Sequence, residues 1–166
     1  MIREKATVVV RQMQEHDIEK LFATFTRWQK PREKFQRYFV EQQQDKRIIL
    51  VALYDEDIVG YTTLVWQSGY EPFQRQAIPE IVDLNVITAH QGQGIGTRLI
   101  RAAEQIVVQH SRPTIGISVE QMGTHLAANK LYPKLGYVPD GNGITLRDNE
   151  LHLIKRLTDE INIGRG

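Results

Sequence analysis

Three closely spaced glycines in the middle of the chain have the clearest chemical use. They lie in the run Gln91-Gly92-Gln93-Gly94-Ile95-Gly96, between a strand-like apolar segment and a strongly helical one. Glycine lets the main chain approach a ligand closely, and the first N–H groups of a helix have no partner within it. A phosphate suits such a turn because it accepts these N–H groups and because the helix dipole favours its negative charge. The run therefore predicts a phosphate-binding turn.

Two common phosphate-binding motifs do not fit this run. A P-loop requires Lys followed by Ser or Thr after its last glycine, whereas Gly96 is followed by Thr97-Arg98. A Rossmann fingerprint requires a different glycine spacing and an acidic residue about 20 positions further on. That position falls near Arg112, which is basic. The turn is therefore predicted to bind neither a P-loop nucleotide nor a dinucleotide.

The segments on either side of the turn are a strand and a helix. Residues 80–87 alternate, and the alternation separates an apolar face from a polar one: Val82, Leu84 and Val86 against Asp83 and Asn85. From Thr97 to about Val108 the apolar residues recur at helical spacing, which predicts an amphipathic helix. The polar face of the strand can therefore carry chemistry beside the phosphate-binding turn.

The same periodicities predict the other elements. In chain order we expect a strand over 7–11, a helix from Ile18 to Trp28, a helix from Pro31 to about 42–45 with Phe35, Tyr38 and Phe39 inward, a hairpin of 48–54 and 58–66, a long loop over 67–79, a strand over 114–119, a helix from about Thr124, and strands at 137–138 and 150–157. The element order is β-α-α-β-β-β-α-β-α-β-β.

Two motifs in this order resemble the GNAT superfamily of N-acetyltransferases. Gln91-x-x-Gly94-x-Gly96 is similar to the family's Gln/Arg-x-x-Gly-x-Gly/Ala motif, whose backbone amides hold the pyrophosphate of acetyl-CoA. The segment 128–137, Ala-Asn-Lys-Leu-Tyr-Pro-Lys-Leu-Gly-Tyr, resembles the family's Ala-x-x-Leu-Tyr-x-Lys-x-Gly-Phe, and 150–157 resembles its closing strand. The resemblance covers roughly residues 7–157. It implies an α/β (α+β) fold with a mixed, twisted and splayed central sheet flanked by helices.

The resemblance also implies where acetyl-CoA binds. The pantetheine arm enters between the central strand and the strand around Ile115, and the thioester lies beside Leu84 to Val86. The residues expected to bind the cosubstrate are Leu84, Val86, Gln91, Gly92, Gln93, Gly94, Ile95, Gly96, Thr97 and Asn129. His125 and Pro133 depart from the family pattern, and Pro133 should end or kink the helix within a residue or two of Tyr132.

An amine acceptor must lose a proton before it attacks a thioester, which calls for a base or a water chain leading to one. The candidates are Glu80, where the resemblance places a glutamate base in histone-type members, and Asp83, which lies nearer the thioester. Because their separation is odd, the two should not both point into the site unless a bulge intervenes. Both alternatives, and the water chain, stay open.

Tyr132 stands where the family meets the departing CoA sulfur. A phenol has a pKa of about 10 and a free thiol one of about 8.5, so hydrogen bonding to the thiolate costs less than full proton donation. We expect Tyr132 to be the hydrogen-bond donor or general acid. The oxyanion would be met by a backbone N–H, that of Val86.

Composition limits the other function classes. Lys plus Arg is 21 against 20 for Asp plus Glu in 166 residues, which gives no indication of nucleic acid or an acidic membrane as partner. There is no cysteine, which excludes an acyl-cysteine intermediate, and the five histidines lack metal-ligand spacing. The length fits one domain, and nothing in the chain resembles a signal peptide or a membrane span. We expect one cytoplasmic domain, residues 1–166, without a metal and with 158–166 frayed.

The sequence thus predicts an acetyl-CoA-dependent N-acetyltransferase that moves the acetyl group to a primary amine by direct attack in a ternary complex. The acceptor is a small molecule or a peptide, and a homodimer is an alternative to a monomer. The alternative function is a non-catalytic acyl-CoA binding or sensing domain, which would need neither a base nor Tyr132. A longer acyl donor or an O-acceptor also stays open.

Overall fold

The computed structural model describes residues 7–25, 31–120, 126–145 and 149–157, with no side-chain detail for 126–129. Within these ranges the chain forms seven strands and five α-helices: β1 (Val8–Gln12), α1 (Asp17–Phe25), α2 (Arg32–Gln43), β2 (Arg47–Tyr54), β3 (Asp57–Val65), α3 (Glu71–Gln76), β4 (Glu80–Val86), α4 (Ile95–Gln109), β5 (Thr114–Glu120), α5 (Leu126–Lys134), β6 (Val138–Thr145) and β7 (Glu150–Arg156). The element order is as predicted, with α3 added. Trp28, Thr124 and His125 lie outside the described ranges.

All seven described strands belong to one sheet, in the order β1-β2-β3-β4-β5-β7-β6. β1 pairs with β2 and β7 with both β5 and β6 in antiparallel fashion, whereas β4 and β5 are parallel. The predicted mixed sheet is therefore confirmed. Parallel strands need a crossover connection, and α4 supplies it between β4 and β5.

The pairing of β4 with β5 is short. Its ladder contains two residue pairs, Glu80 with Gly116 and Ile81 with Ile117, whereas β5 pairs with β7 along its whole length, from Thr114 to Glu120. After Ile81 the β4 backbone has no ladder partner on β5 among the described residues.

The chain divides into two compact units. The first unit is Met1–Leu64 with Asp83–Ala102, and the second is Val65–Val82 with Ala103–Gly166. In the first unit the ring of Tyr61 meets Phe25 and Phe35 edge-on, with centroids 4.8 and 5.5 Å apart. Such pairs add stability beyond the apolar area they bury. The single-domain organisation expected from the chain length stays a prediction.

The core of the second unit includes a buried ion pair. Nζ of Lys155 on β7 lies 3.0 Å from a carboxylate oxygen of Glu104 on α4. The Tyr137 hydroxyl donates to the same carboxylate at 3.2 Å. Because a buried charge is costly unless it is paired and hydrogen-bonded, this network is the arrangement that lets Glu104 and Lys155 be buried.

The predicted loop over 67–79 is wrong in part, because it contains α3. Pro72 is in the first turn, where its missing N–H costs nothing, and Ala77 ends the helix in the left-handed conformation. Phe73 is buried, and its ring lies where a Cβ on Gly116 would be, 2.3 Å from that position. Six residues are too few for helical periodicity to stand out in the sequence.

Candidate functional site

The glycine turn belongs to the first unit and follows a short 3-10 helix, Thr88–His90, that connects it to β4. Gly92 and Gly94 adopt φ angles of +76° and +82°, which disfavour any residue with a side chain. The Gln91 side-chain amide donates to the Val86 carbonyl at 3.0 Å. Gln91, predicted to contact the cosubstrate, thus ties the turn back to the end of β4.

Backbone N–H groups are concentrated on this turn. The Arg98 N–H donates to the Gly94 carbonyl at 3.1 Å, which opens the hydrogen bonding of α4. The N–H groups of residues 92–97 have no hydrogen-bond acceptor among the residues that the structure describes. A Cβ placed on Gly92 or Gly94 would meet no atom within 4 Å, so the space beside each of these two glycines is open. Six N–H groups at the positive end of a helix form a site for an anion.

The other residues predicted to contact the cosubstrate lie at the start of α4, on β4 and on α5. α4 begins at Ile95 and not at Thr97, so Ile95, Gly96 and Thr97 form its first turn. The Ile95 side chain is buried in the protein, which leaves only its N–H for a ligand. Leu84 and Val86 are half-buried on β4. The Asn129 side chain lies outside the described residues.

Asp83 lies at a break in the regular geometry of β4. Its φ angle is +63°, in the left-handed region that costs a residue with a side chain roughly 1–2 kcal/mol. This distortion interrupts the alternation along β4. The expectation that Glu80 and Asp83 face opposite sides presupposed unbroken alternation, so that argument no longer applies.

Four donors surround the Asp83 carboxylate, all within the first unit. Oδ2 accepts from the hydroxyl groups of Tyr38 and Tyr61, at 3.0 and 2.8 Å. The ammonium of Lys34 lies 2.7 Å from the same oxygen. Oδ1 accepts from the Asn85 amide at 2.7 Å. Three of the four donors are on Oδ2 and one is on Oδ1, so most of the hydrogen bonding falls on one carboxylate oxygen.

The phenols keep their protons and act on Asp83 as donors. Burial raises the pKa of Tyr38 and of Tyr61, and the nearby Asp83 carboxylate raises both further. Asp83 therefore serves as an anion that binds donors. Oδ2, with three donors, is the less suited of its two oxygens to take a proton from an amine.

Glu80 belongs to the second unit and is 6% exposed. Its Oε2 accepts from the Ser68 hydroxyl at 2.7 Å, and its Oε1 lies 4.0 Å from Nε2 of His152. Burial raises the pKa of the Glu80 carboxyl, the Glu150 carboxylate adds to this, and hydrogen bonds from Ser68 and Ser118 oppose it. A carboxylate with a raised pKa is a better proton acceptor at neutral pH.

An aromatic stack holds His152 in place. The Tyr70 ring lies parallel to the imidazole, with centroids 3.5 Å apart, and Phe73 meets the imidazole edge-on at 5.4 Å. The Tyr70 hydroxyl donates to Asp140 at 2.8 Å, which fixes the stack. Sequence reasoning missed His152, Ser68 and Tyr70 because no local pattern links them to Glu80.

Tyr132 lies on α5 in the second unit and is 5% exposed. Burial raises its pKa to about 12, so the phenol stays protonated. None of the described residues hydrogen-bonds its hydroxyl. The helix continues two residues beyond it, to Lys134, and Gly136 turns the chain with φ +96°. The predicted end of regular helix within two residues of Tyr132 is therefore confirmed.

No group of three or more His, Cys, Asp or Glu side chains in the described ranges could hold a metal ion. No helix in those ranges is both long and apolar enough to cross a membrane.

Comparison with known proteins relates this geometry to one family. The model of the acetyltransferase (GNAT) family matches residues 15–137. No curated protein matches the chain.

Solved structures share the fold at low identity. An N-acetyltransferase from Staphylococcus aureus Mu50 is 15% identical, with a TM-score of 0.73 over 92% of this chain and 100% of that one. The PaiA N-acetyltransferase from Thermoplasma acidophilum, solved in complex with coenzyme A, is 16% identical, with a TM-score of 0.70 over 90% and 99%. The protein yncA from Salmonella typhimurium, solved with its cofactor acetyl-CoA, is 15% identical, with a TM-score of 0.72 over 92% and 95%.

Proposed function

Because the chain belongs to the acetyltransferase (GNAT) family, we propose that it transfers the acetyl group of acetyl-CoA to a primary amine. The amine attacks the thioester directly in a ternary complex. The glycine turn carries this proposal, since the N–H groups of residues 92–97 form an anion site at the start of α4. A pyrophosphate, with its several anionic oxygens, can use all of them. The coenzyme A and acetyl-CoA complexes of the PaiA and yncA proteins support the same class of donor.

Glu80 is the base in this proposal, directly or through water. Its raised pKa brings the carboxyl closer to the range where a general base works best. Asp83 is the weaker candidate because Lys34, Tyr38, Tyr61 and Asn85 all stabilise its carboxylate as an anion. The proton that the amine loses passes to Glu80, and the nitrogen lone pair forms the new bond to the acetyl carbon.

Tyr132 donates a hydrogen bond to the departing CoA sulfur. The phenol has a pKa of about 12 and a free thiol one of about 8.5. Full proton transfer from Tyr132 to the thiolate is therefore uphill by several kcal/mol, whereas a hydrogen bond from the phenol stabilises the charge that develops on sulfur. The Val86 N–H is proposed to meet the carbonyl oxygen as it becomes an oxyanion.

Thiol release from acetyl-CoA tests the proposal. The purified protein is assayed with a panel of amines, polyamines, amino acids, aminoglycosides and peptides, and acetyl-CoA binding is measured in parallel by calorimetry. We expect acetyl-CoA to bind and at least one amine to raise thiol release well above hydrolysis. Binding without release for any amine would favour the non-catalytic acyl-CoA binding domain. An O-acetylated product, or a preference for longer acyl-CoA, would contradict the acceptor or the donor proposed here.

A further inference from the structure

The Lys34–Asp83 ion pair has features of an occupied ammonium-binding site. Nζ of Lys34 lies 2.7 Å from Oδ2 of Asp83 and 5.4 Å from the centroid of the Tyr38 ring. A carboxylate and an aromatic face together are the groups that recognise an alkylammonium ion. Lys34 reaches this pair from the first turn of α2.

The donors on Asp83 differ in how easily they can be exchanged. Tyr38 is 4% exposed and Tyr61 is fully buried, and both rings are fixed by aromatic neighbours in the core of the first unit. Asn85 is two residues away on β4 itself. The Lys34 side chain is 23% exposed and ends a flexible four-carbon stem. Of these four donors, Lys34 is the one that another cation can replace without unpacking the core.

Asp83 also lies on β4, the strand next to which the acetyl transfer is proposed to occur. It immediately precedes Leu84, beside which the thioester is expected, and its backbone distortion sets the direction of its side chain. The carboxylate already pairs with one ammonium group and accepts from two phenols and an amide, so it is suited to hold an ammonium group. Holding a group in place before it reacts is itself a contribution to catalysis.

We propose that Asp83 is the subsite for the acceptor's ammonium group, that Lys34 occupies it in the resting protein, and that the acceptor is an alkylammonium compound of the lysine side-chain type. The acceptor displaces Lys34 and takes its place between Asp83 and the face of Tyr38. This inference rests on the proposed function and specifies its substrate class. If Lys34 leaves the subsite open about one tenth of the time, the apparent affinity for the acceptor is about tenfold weaker than that of a subsite that is always open.

Binding of n-butylammonium, which matches the lysine side chain, tests this subsite without requiring turnover. The protein is saturated with coenzyme A and titrated with n-butylamine at neutral pH. We expect Lys34→Met to tighten binding by about tenfold, and the double variant Lys34→Met/Asp83→Asn to lose that gain. Equal affinity of the wild type and Lys34→Met would overturn the proposal. So would a double variant that binds as tightly as Lys34→Met.

Arg37→Met is the matched control for charge. Arg37 lies on the same helix and its guanidinium carbon is 5.7 Å from the Tyr38 ring, but its ion-pair partner is Glu41. Removing Arg37 therefore removes one positive charge near the subsite without vacating Asp83. We expect its affinity for n-butylammonium to stay within about twofold of wild type. A gain equal to that of Lys34→Met would show simple charge repulsion and overturn the subsite.

The rate measurement separates this inference from the proposed function. With saturating acetyl-CoA, the KM for n-butylamine should fall in Lys34→Met by the factor seen in binding, while the KM for acetyl-CoA is unchanged. If no amine supports thiol release, the proposed function fails, and the binding titration still decides whether Asp83 is an ammonium subsite.

Discussion

At the scale of single residues, two carboxylates on β4 have different surroundings, and for this reason we propose different roles for them. Asp83 is held as an anion by a lysine, two phenols and an amide. Glu80 is buried, accepts from the Ser68 hydroxyl at 2.7 Å and has a raised pKa. The raised pKa of Glu80 favours proton transfer, and the donors around Asp83 favour charge stabilisation.

The first prediction concerns Glu80. Glu80→Gln removes the proton acceptor, so kcat/KM at neutral pH should fall by about 100-fold or more. Activity should then recover as the pH rises toward the pKa of the amine, because the free amine needs no base. In the wild type the rate should rise with pH through the raised pKa of Glu80, as the carboxyl loses its proton.

Asp83→Asn is the matched comparison for that pH profile. It should raise the KM for the amine, while the rise of the rate with pH, the ascending limb of the profile, stays at the same pH. If Asp83→Asn abolishes the limb and Glu80→Gln keeps it, the assignment of the base is reversed. If neither variant changes the limb, an ordered water chain removes the proton.

The second prediction concerns the Tyr132 hydroxyl. Tyr132→Phe should lower kcat by about 10- to 1000-fold, because the hydroxyl matters when negative charge develops on sulfur. The dissociation constant of acetyl-CoA should change little. Tyr137→Phe is a suitable control, since that hydroxyl donates to the buried Glu104 and has no proposed role in the reaction. Wild-type turnover in the Tyr132 variant would remove this residue from the mechanism.

At the scale of the elements, the connection from β4 to α4 forms the proposed anion site. Three features shape this connection: the short 3-10 helix, the hydrogen bond from the Gln91 side-chain amide to the Val86 carbonyl, and two glycines with positive φ. Together they direct successive backbone N–H groups outward. These are main-chain properties, so they tolerate many side-chain changes but few changes of glycine.

The third prediction concerns Gly94. A Cβ there meets no protein atom within 4 Å, but a valine must adopt φ near +82°, which costs about 1–3 kcal/mol. It also places a branched side chain on the ligand face. Gly94→Val should therefore weaken acetyl-CoA binding by about tenfold or more, with the protein still folded.

Gly69→Val is the control for Gly94→Val. The space around Gly69 is equally open and its φ is not in the left-handed region. Calorimetry on both folded variants, with circular dichroism to verify folding, should find near-wild-type affinity for Gly69→Val. Unchanged affinity in Gly94→Val would contradict the placement of the pyrophosphate.

At the scale of the whole molecule, buried ionic groups make the stability depend on pH. Asp17 has no exposed surface, and Arg11 binds both its oxygens, at 2.6 and 3.0 Å. Burial by itself would raise the pKa of Asp17, but hydrogen bonds from Arg11 and the Gln14 N–H, with the attraction of the guanidinium, lower it overall. A carboxyl whose folded-state pKa is lowered stabilises the folded protein above its unfolded-state pKa.

The fourth prediction follows from that sign. Asp17→Asn should lower the free energy of unfolding at pH 7 by about 2 kcal/mol, because it removes charged hydrogen bonds and leaves Arg11 without its carboxylate. The difference should shrink as the pH falls from about 4 through the lowered pKa, since the wild type then loses the same charge.

Urea unfolding at pH 7 and at pH 3 measures the effect of Asp17→Asn. The control is Glu19→Gln, which removes an exposed carboxylate that pairs with Arg32 at 3.0 Å. That variant should stay within about 0.5 kcal/mol of wild type at both values. A loss in Asp17→Asn that is as large at pH 3 as at pH 7 would mean that packing, and not charge, explains its effect.

The sequence by itself determined the features that depend on residues close together in the chain. Period-2 and helical patterns predicted the order of strands and helices, and the glycine run predicted an anion-binding turn before α4. Pro133 and Gly136 predicted the end of α5. The six-residue α3 was missed because so short an element carries no clear period.

Only the tertiary structure decided which groups surround the two carboxylates. Lys34 and Tyr38 come from α2, 49 and 45 residues before Asp83, and His152 comes from β7, 72 residues after Glu80. The folding of the whole sheet brings these groups together, so no local pattern encodes them. The left-handed φ of Asp83 likewise depends on its surroundings, because an isolated aspartate would avoid it. Proton affinity is set by such neighbours, and for this reason the choice between Glu80 and Asp83 could be argued only after the fold was known.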